Sequence, residues 1–275
     1  MRILSLVVAL LIASVASATE VQEAQKDATS VVASKEEAKE AVKVFKDELK
    51  KGRRARSFND QAEAVKKVAL FVHADVAKEL TAVALQSPFG GDDEPAERVA
   101  LRVEAIRSLA LQTSSKDYVC KKLAQAVGER KFPEAAAAEA VKALAILDYE
   151  NYWLKIASFI PLSRLEVAAA ALNIVGERKD LRVHTQVDAL WSRITGAAGA
   201  SHAISSSASA ARELAKKESG KPNRIGTKEL GAVLSATTSE LTGLWEKDAI
   251  RNVDGFRKWV GEHKNEIKAA EARRD

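Results

Sequence analysis

Three stretches of the chain carry one hydrophobic pattern. "EAVKKVAL" occupies residues 63–70, "EAIRSLAL" 104–111 and "EAVKALAI" 139–146. With the preceding residue (Ala62, Val103, Ala138), each reads small or apolar, Glu, Ala, β-branched, cation, any residue, aliphatic, Ala, aliphatic. Wound at about 100° per residue, Ala64, Val65, Val68 and Ala69 fall on one apolar arc, and so do their counterparts in the other copies. The Ala positions admit a neighbouring helix closely, and the larger aliphatics fill the space between. Each copy precedes a short polar turn and a second apolar helix: "DVAKELTAVAL" (75–85), "DYVCKKLAQAV" (117–127) and "NYWLKIASFI" (151–160). Asp75 and Ser115 are expected as N-caps and Gly128 as a C-terminal glycine.

A fourth, more degenerate unit opens with the capping-box signature Ser163-x-x-Glu166. Its first helix, "EVAAAALNIV", closes at Gly176, and "DLRVHTQVDALWSRI" (180–194) is its partner. The Ala positions 64, 105, 140 and 168 give spacings of 41, 35 and 28 residues. Helix pairs recurring every ~30–45 residues mark an α-solenoid, in which no pair buries its own apolar face but a stack buries a continuous core. The expected fold class is all-α: a right-handed stack of four or five helix pairs.

Flanking segments complete the layout. Ser34-x-x-Glu37 is a second capping box, predicting a helix from 35 to 51 that stops at Gly52 and leads into a basic connector, "GRRARSFND" (52–60). Residues 196–225 are rich in Gly, Ser and Ala and read as a connector with one helix near 205–218. "GTKELGAVLSATTSELTG" predicts a helix capped by Thr227 and closed by Gly243. The expected division is 1–18 leader, 19–59 N-terminal lead and helix, 60–195 repeats, 196–225 connector, and 226–275 C-terminal cap with a charged tail helix. Trp245, Phe256 and Trp259 are large enough to cover the open end of the stack.

Composition adds a compartment. Met1-Arg2 is followed by the uncharged run Ile3–Val15 and then by Ala16-Ser17-Ala18, the order of a secretory signal peptide. Cleavage is expected after Ala18, giving an exported chain that is periplasmic or extracellular and has no later membrane span. The single Cys120 forms no internal disulfide, so packing must supply the stability; it reads as a small buried apolar residue. The net charge of +5, from 43 basic and 38 acidic residues, permits weak attraction to acidic polymers without demanding it.

Candidate chemistry is sparse. His73, His184, His202 and His263 have no metal-ligand spacing, and His184 with Asp188 reads as a surface pair. "SHAISSSASA" lacks the turn signature of a serine nucleophile. "PFGGDDEP" (88–95) matches neither a P-loop nor a Ca²⁺ loop and reads as an inter-repeat turn ending at a Pro helix start. The pairs Glu63/Lys66, Glu104/Arg107 and Glu139/Lys142 would form a solvated charge ladder. No catalytic, metal or cofactor residue is expected.

The paired helices, the Ala-aliphatic register and the passage "LNIVGERKDLRVHTQVDAL" resemble HEAT repeats, over residues 60–195. The closing order Leu-Thr-Gly, Asp, Phe-Arg-Lys-Trp looks like the C-terminal cap of exported bacterial HEAT-repeat proteins, as in planctomycetes. The chain departs from the usual pattern in lacking an Asp-Pro turn and in its unequal spacings. Such stacks usually line a concave face with their second helices, which here carry Lys78, Lys121, Lys122 and Lys155, with Tyr118, Tyr152 and Trp153 nearby. Those seven residues are the expected partner-binding set, for a protein or peptide. The resemblance implies a non-catalytic scaffold. Binding of an anionic envelope polymer and an enzyme on a solenoid frame are the alternatives. HEAT-like phycobilin lyases and DNA glycosylases act inside the cell, so the leader argues against both, and no nucleic-acid partner is expected.

Overall fold

The computed structural model describes residues 31–161, 164–204, 227–244 and 248–272. The leader, Ser163 of the fourth unit's capping box, Trp245 and the helix expected at 205–218 lie outside the described residues. Eleven α-helices are present among the described residues: α1 (Lys35–Ala55), α2 (Phe58–Ala69), α3 (Ala74–Ala84), α4 (Ala96–Leu109), α5 (Lys116–Gly128), α6 (Glu134–Ala157), α7 (Leu165–Glu177), α8 (His184–Ile204), α9 (Thr227–Thr242), α10 (Val253–Glu262) and α11 (Lys264–Ala272). The protein is all-α, apart from the two-residue strands β1 (Val31–Val32) and β2 (Phe71–Val72), which pair in parallel. Both strands fall in turn or lead segments, so no expected helix is displaced. No helix among the described residues is long and apolar enough to cross a membrane.

The three helices that carry the repeated octet pack in succession, α2 on α4 and α4 on α6, and the run continues with α6 on α7 and α7 on α9. Ala64, Ala105, Ala140 and Ala168 are all buried in one apolar cluster that runs from Ala33 to Ile267. Small side chains at these crossings let the backbones approach, and the adjoining Val65, Ile106, Val141 and Leu144, each fully buried, interdigitate. The central α7 has nine of its thirteen residues buried, which explains why its sequence is Ala and aliphatics almost throughout. Successive second helices touch less: α3 and α5 meet over only a few residues.

Several boundaries differ from the sequence reading, each for a local reason. Helix α1 continues through Gly52 to Ala55, and Arg56 at φ 54° ends it. Gly52 serves close approach rather than termination, since a Cβ there would lie 2.8 Å from Cγ of Gln61 on α2. The basic connector is thereby reduced to a turn, with Ser57 capping α2 through the Asp60 N–H. His73, not Asp75, caps α3: its Nδ1 accepts from the Asp75 N–H at 3.1 Å. Ser115 occupies the N-cap position of α5 but its side chain makes no capping bond. The third unit's two helices merge into α6 with a kink at Asp148 (φ −163°, ψ 68°), so its turn is a single non-helical residue. Helix α8 runs to Ile204, past the start of the expected connector at 196. Helix α9 covers Thr227–Thr242, with the Thr227 expected as its cap already its first residue, and Gly243 at φ +70° follows it, a backbone conformation glycine adopts without penalty.

The far end of the stack is closed by α9–α11. Helix α9 lies on α7, α10 on α8, and Phe256, Trp259 and Ile267 are buried there. Arg257 joins α10 to α8 through a two-pronged bond to Asp188 at 2.7 and 3.0 Å. Asp188 therefore serves Arg257 rather than His184, whose Nδ1 instead lies 3.2 Å from the Leu181 carbonyl.

If the Ala crossings set the spacing, enlarging one is destabilising. Ala105→Leu is expected to cost about 1–3 kcal/mol and to lower the urea midpoint. Ala100→Leu, on the exposed side of the same helix, should leave that midpoint nearly unchanged.

Candidate functional site

The seven residues expected to bind a partner lie on α3, α5 and the second segment of α6. On α5 the alternation is sharp. Val119, Cys120, Leu123 and Ala124 face the core, and Tyr118, Lys121 and Lys122 stand out from it, with Tyr118 38% exposed. Lys121 and Lys122 make no ion pair among the described residues. Lys78 is exposed on α3 and lies 3.5 Å from Asp75 on the preceding turn. Lys155 is exposed, and its Nζ sits 5.3 Å above the buried Phe159 ring. Leu154 beside it is half exposed, an apolar residue on this layer that the sequence reading omitted.

The two other aromatics are built into the frame. Tyr152 is half-buried against the core, and desolvation raises its phenol, with the Asp117 and Asp148 charges acting the same way. Trp153 is half-buried with the Arg182 guanidinium 4.5 Å above its ring. Of the seven, then, Tyr118, Lys121 and Lys122 form one open stripe, Lys78 and Lys155 stand on the helices to either side, and Tyr152 and Trp153 are largely packing groups.

Cys120 is fully buried, and desolvation, reinforced by Asp148 and Asp117, pushes its thiol up to about 12. It therefore stays neutral and non-nucleophilic at ordinary pH. Iodoacetamide at pH 8 is expected to label Cys120 only in denaturant; labelling of the native chain at the unfolded rate would contradict this burial.

The polar chemistry of the molecule is concentrated where the turns between paired helices stack. Gln112, fully buried, donates to the Ala69 carbonyl at 3.0 Å and accepts from the His73 N–H at 3.2 Å. Lys116 holds Asp148 at 3.1 Å. Tyr149 donates to Asp180 at 2.7 Å, Arg178 donates to the Ala145 carbonyl at 3.1 Å, and Arg182 joins Asp180 to Glu150. On the opposite edge Arg164 donates to the carbonyls of Val127 and Phe132, and Glu134 accepts from the Glu166 N–H at 2.9 Å. Many of these pairs are 31–33 residues apart in sequence. That separation is the working period of the later units, one helical turn longer than the 28 residues between Ala140 and Ala168. The signal was present as matched charges at Lys116/Asp148 and Glu150/Arg182, but it is visible only once the register is known.

The charge ladder takes a different form from the one the pairs suggest. Lys66–Glu63 and Lys142–Glu139 bond within their helices at 3.0 and 3.3 Å. Arg107 reaches instead across to Glu139 on the next first helix, at 3.1 Å. Glu139 is thus held by two cations from adjacent helices.

A second group missed in the sequence is Arg102. It is 1% exposed, bonded to Glu94 at 2.8 Å and to the Ala84 and Gln86 carbonyls, with Phe89 beneath it at 5.2 Å. Burial lowers its pKa and the Glu94 carboxylate counters that. Arg102 thereby fixes the "PFGGDDEP" turn, a structural role for a segment that carries no ligand-binding signature.

Among the described residues no group of three or more His, Cys, Asp or Glu is placed to hold a metal ion. No family model, curated protein or solved structure matches this chain.

The turn network titrates. Burial alone would raise the Asp180 carboxyl, but bonds from Arg182 and Tyr149 outweigh it and hold it below its ordinary value. A depressed carboxylate contributes stability above its unfolded pKa of about 3.9, and that contribution is lost as pH falls through the lower folded value. Asp180→Asn should therefore lower the urea midpoint at pH 7, and the gap to the wild type should close as pH drops below about 4. A gap that is constant with pH would contradict the ion-pair account.

Proposed function

We propose that this chain is a HEAT-like α-solenoid that acts as a non-catalytic, exported scaffold, taking a protein or peptide along the face of its second helices. The observation that carries the reading is the division of labour between the two helix layers. First helices bury their repeated faces against one another and are occupied by packing. Second helices bury one side only and leave outward the stripe Tyr118, Lys121 and Lys122, flanked by Lys78, Lys155 and the half-exposed Leu154. Lys121 and Lys122, which make no ion pair among the described residues, stand beside exposed apolar groups on a helical support and suit an acidic or amphipathic peptide segment. Export rests on the leader signature of residues 1–18 alone.

A second reading, binding of an anionic polymer, draws on the same lysines. The two differ in salt dependence, because a polyanion bound through lysines is released as its charges are screened.

The test is capture from the native extract with the full chain and with the Lys121→Glu, Lys122→Glu double variant. The scaffold reading expects a partner held by the wild type and lost by the variant, at unchanged helical circular dichroism, and retained at 0.5 M salt. Partners retained equally by both chains would refute this face. Loss of all binding at 0.5 M salt would favour the polymer.

A further inference from the structure

The exposed apolar surface is concentrated at the end of the stack opposite the α9–α11 closure. Six of the nine large apolar side chains standing exposed among the described residues lie between residues 31 and 71: Val31, Val32, Val44, Phe58, Leu70 and Phe71. Surface apolar residues scattered singly need no explanation; a cluster at one end does. Two of the six, Val44 and Phe71, line a groove of about 330 Å³ between α1 and α2. Ala41, Val44 and Phe45 on one side and Ala64, Val68 and Phe71 on the other make it apolar.

Its rim is acidic. Glu37, Glu40 and Glu48 stand along it, with Lys67 the one cation among the described lining residues; Lys67 is held by Glu48 at 3.3 Å, and Glu40 lies 3.9 Å from the exposed Lys43, which leaves the lining acidic by three carboxylates to one ammonium. The α1 positions that line it, Glu37 to Glu48, span about 17 Å at 1.5 Å per residue, three turns of helix. Elsewhere in the stack each first helix from α4 to α7 is flanked on both sides by another. The α1–α2 groove is the place where the succession stops, so the shape left open is the shape of a further helix. Charge settles what kind: an acidic rim repels an acidic helix and attracts a basic one.

We propose that the α1–α2 groove docks an amphipathic helix of a partner protein, one whose apolar stripe enters the groove and whose flanks carry Lys or Arg. The site is separate from the second-helix face, and its charge preference is the reverse.

Two helical peptides of about 18 residues, five turns, test this. They share one Leu/Ala stripe and differ in flanks, Lys in one and Glu in the other. Binding to the full chain is read by fluorescence anisotropy. The Lys peptide is expected to bind at micromolar Kd and the Glu peptide at least tenfold more weakly. Val44→Glu, at a position already 47% exposed and so tolerant of a charge, should weaken the Lys peptide about tenfold or more. Glu40→Lys with Glu48→Lys should reverse the preference. Glu37 is left in place because it closes the cap with Ser34. The Lys121→Glu, Lys122→Glu chain should bind the Lys peptide as well as the wild type, so this site and the second-helix face fail independently. Absence of binding by either peptide, equal binding of both, or full binding by a folded Val44→Glu chain would overturn the proposal. A groove already filled by the chain's own first residues, or by a second copy, would appear as the first of these outcomes, with monomer or dimer mass telling the two apart.

Discussion

Close approach between successive first helices is the constraint on which the rest of the structure depends. It requires small residues at fixed places, and the chain supplies Ala64, Ala105, Ala140 and Ala168, each at most 1% exposed. Because those contacts join α2 to α4, α4 to α6, α6 to α7 and α7 to α9, the apolar cluster has no internal boundary. Stability is then shared between neighbours rather than held within each helix pair, as nearest-neighbour stacks require. With no disulfide among the described residues, this seam carries stabilisation that cross-links would otherwise supply.

Stacking alone does not fix register, because an Ala-rich face can slide by a helical turn at modest cost. The turn network supplies the lock. Gln112, the Tyr149–Asp180–Arg182 group and Arg164 each satisfy a backbone or side-chain group of the preceding unit. A slip by one turn would strip the buried Gln112 of both its partners and separate the buried Tyr149 hydroxyl from Asp180, which costs more than the altered Ala contacts. Apolar faces therefore give the affinity of unit for unit, and buried polar groups give the alignment. This arrangement also frees the second-helix face and the groove between α1 and α2 from structural duty.

Periodicity made the helices, their pairing and the buried face of each repeat legible before any coordinates. It identified the four Ala positions and the buried nature of Cys120. It misjudged boundaries where a residue has two uses. Gly52 looks like a stop, yet it sits inside α1 to let Gln61 approach; Asp148 looks helical, yet it turns the chain to meet Lys116. Arg102 and Gln112 were invisible because a cation or amide in a helical pattern reads as surface until its buried partners are seen. The expected binding set divided for the same reason. Tyr118, Lys121 and Lys122 have no inward task, whereas Trp153 is covered by Arg182.

Hydrogen exchange on the intact chain, compared with Leu144→Ala, tests the shared seam most directly. Leu144 is fully buried on α6, between α4 and α7, and its truncation removes about 2–5 kcal/mol of packing. A continuous seam predicts that amides of α4 and α7 lose protection together with those of α6. Loss confined to α6, with α4 and α7 as protected as before, would show that the units stand on their own and would contradict the account.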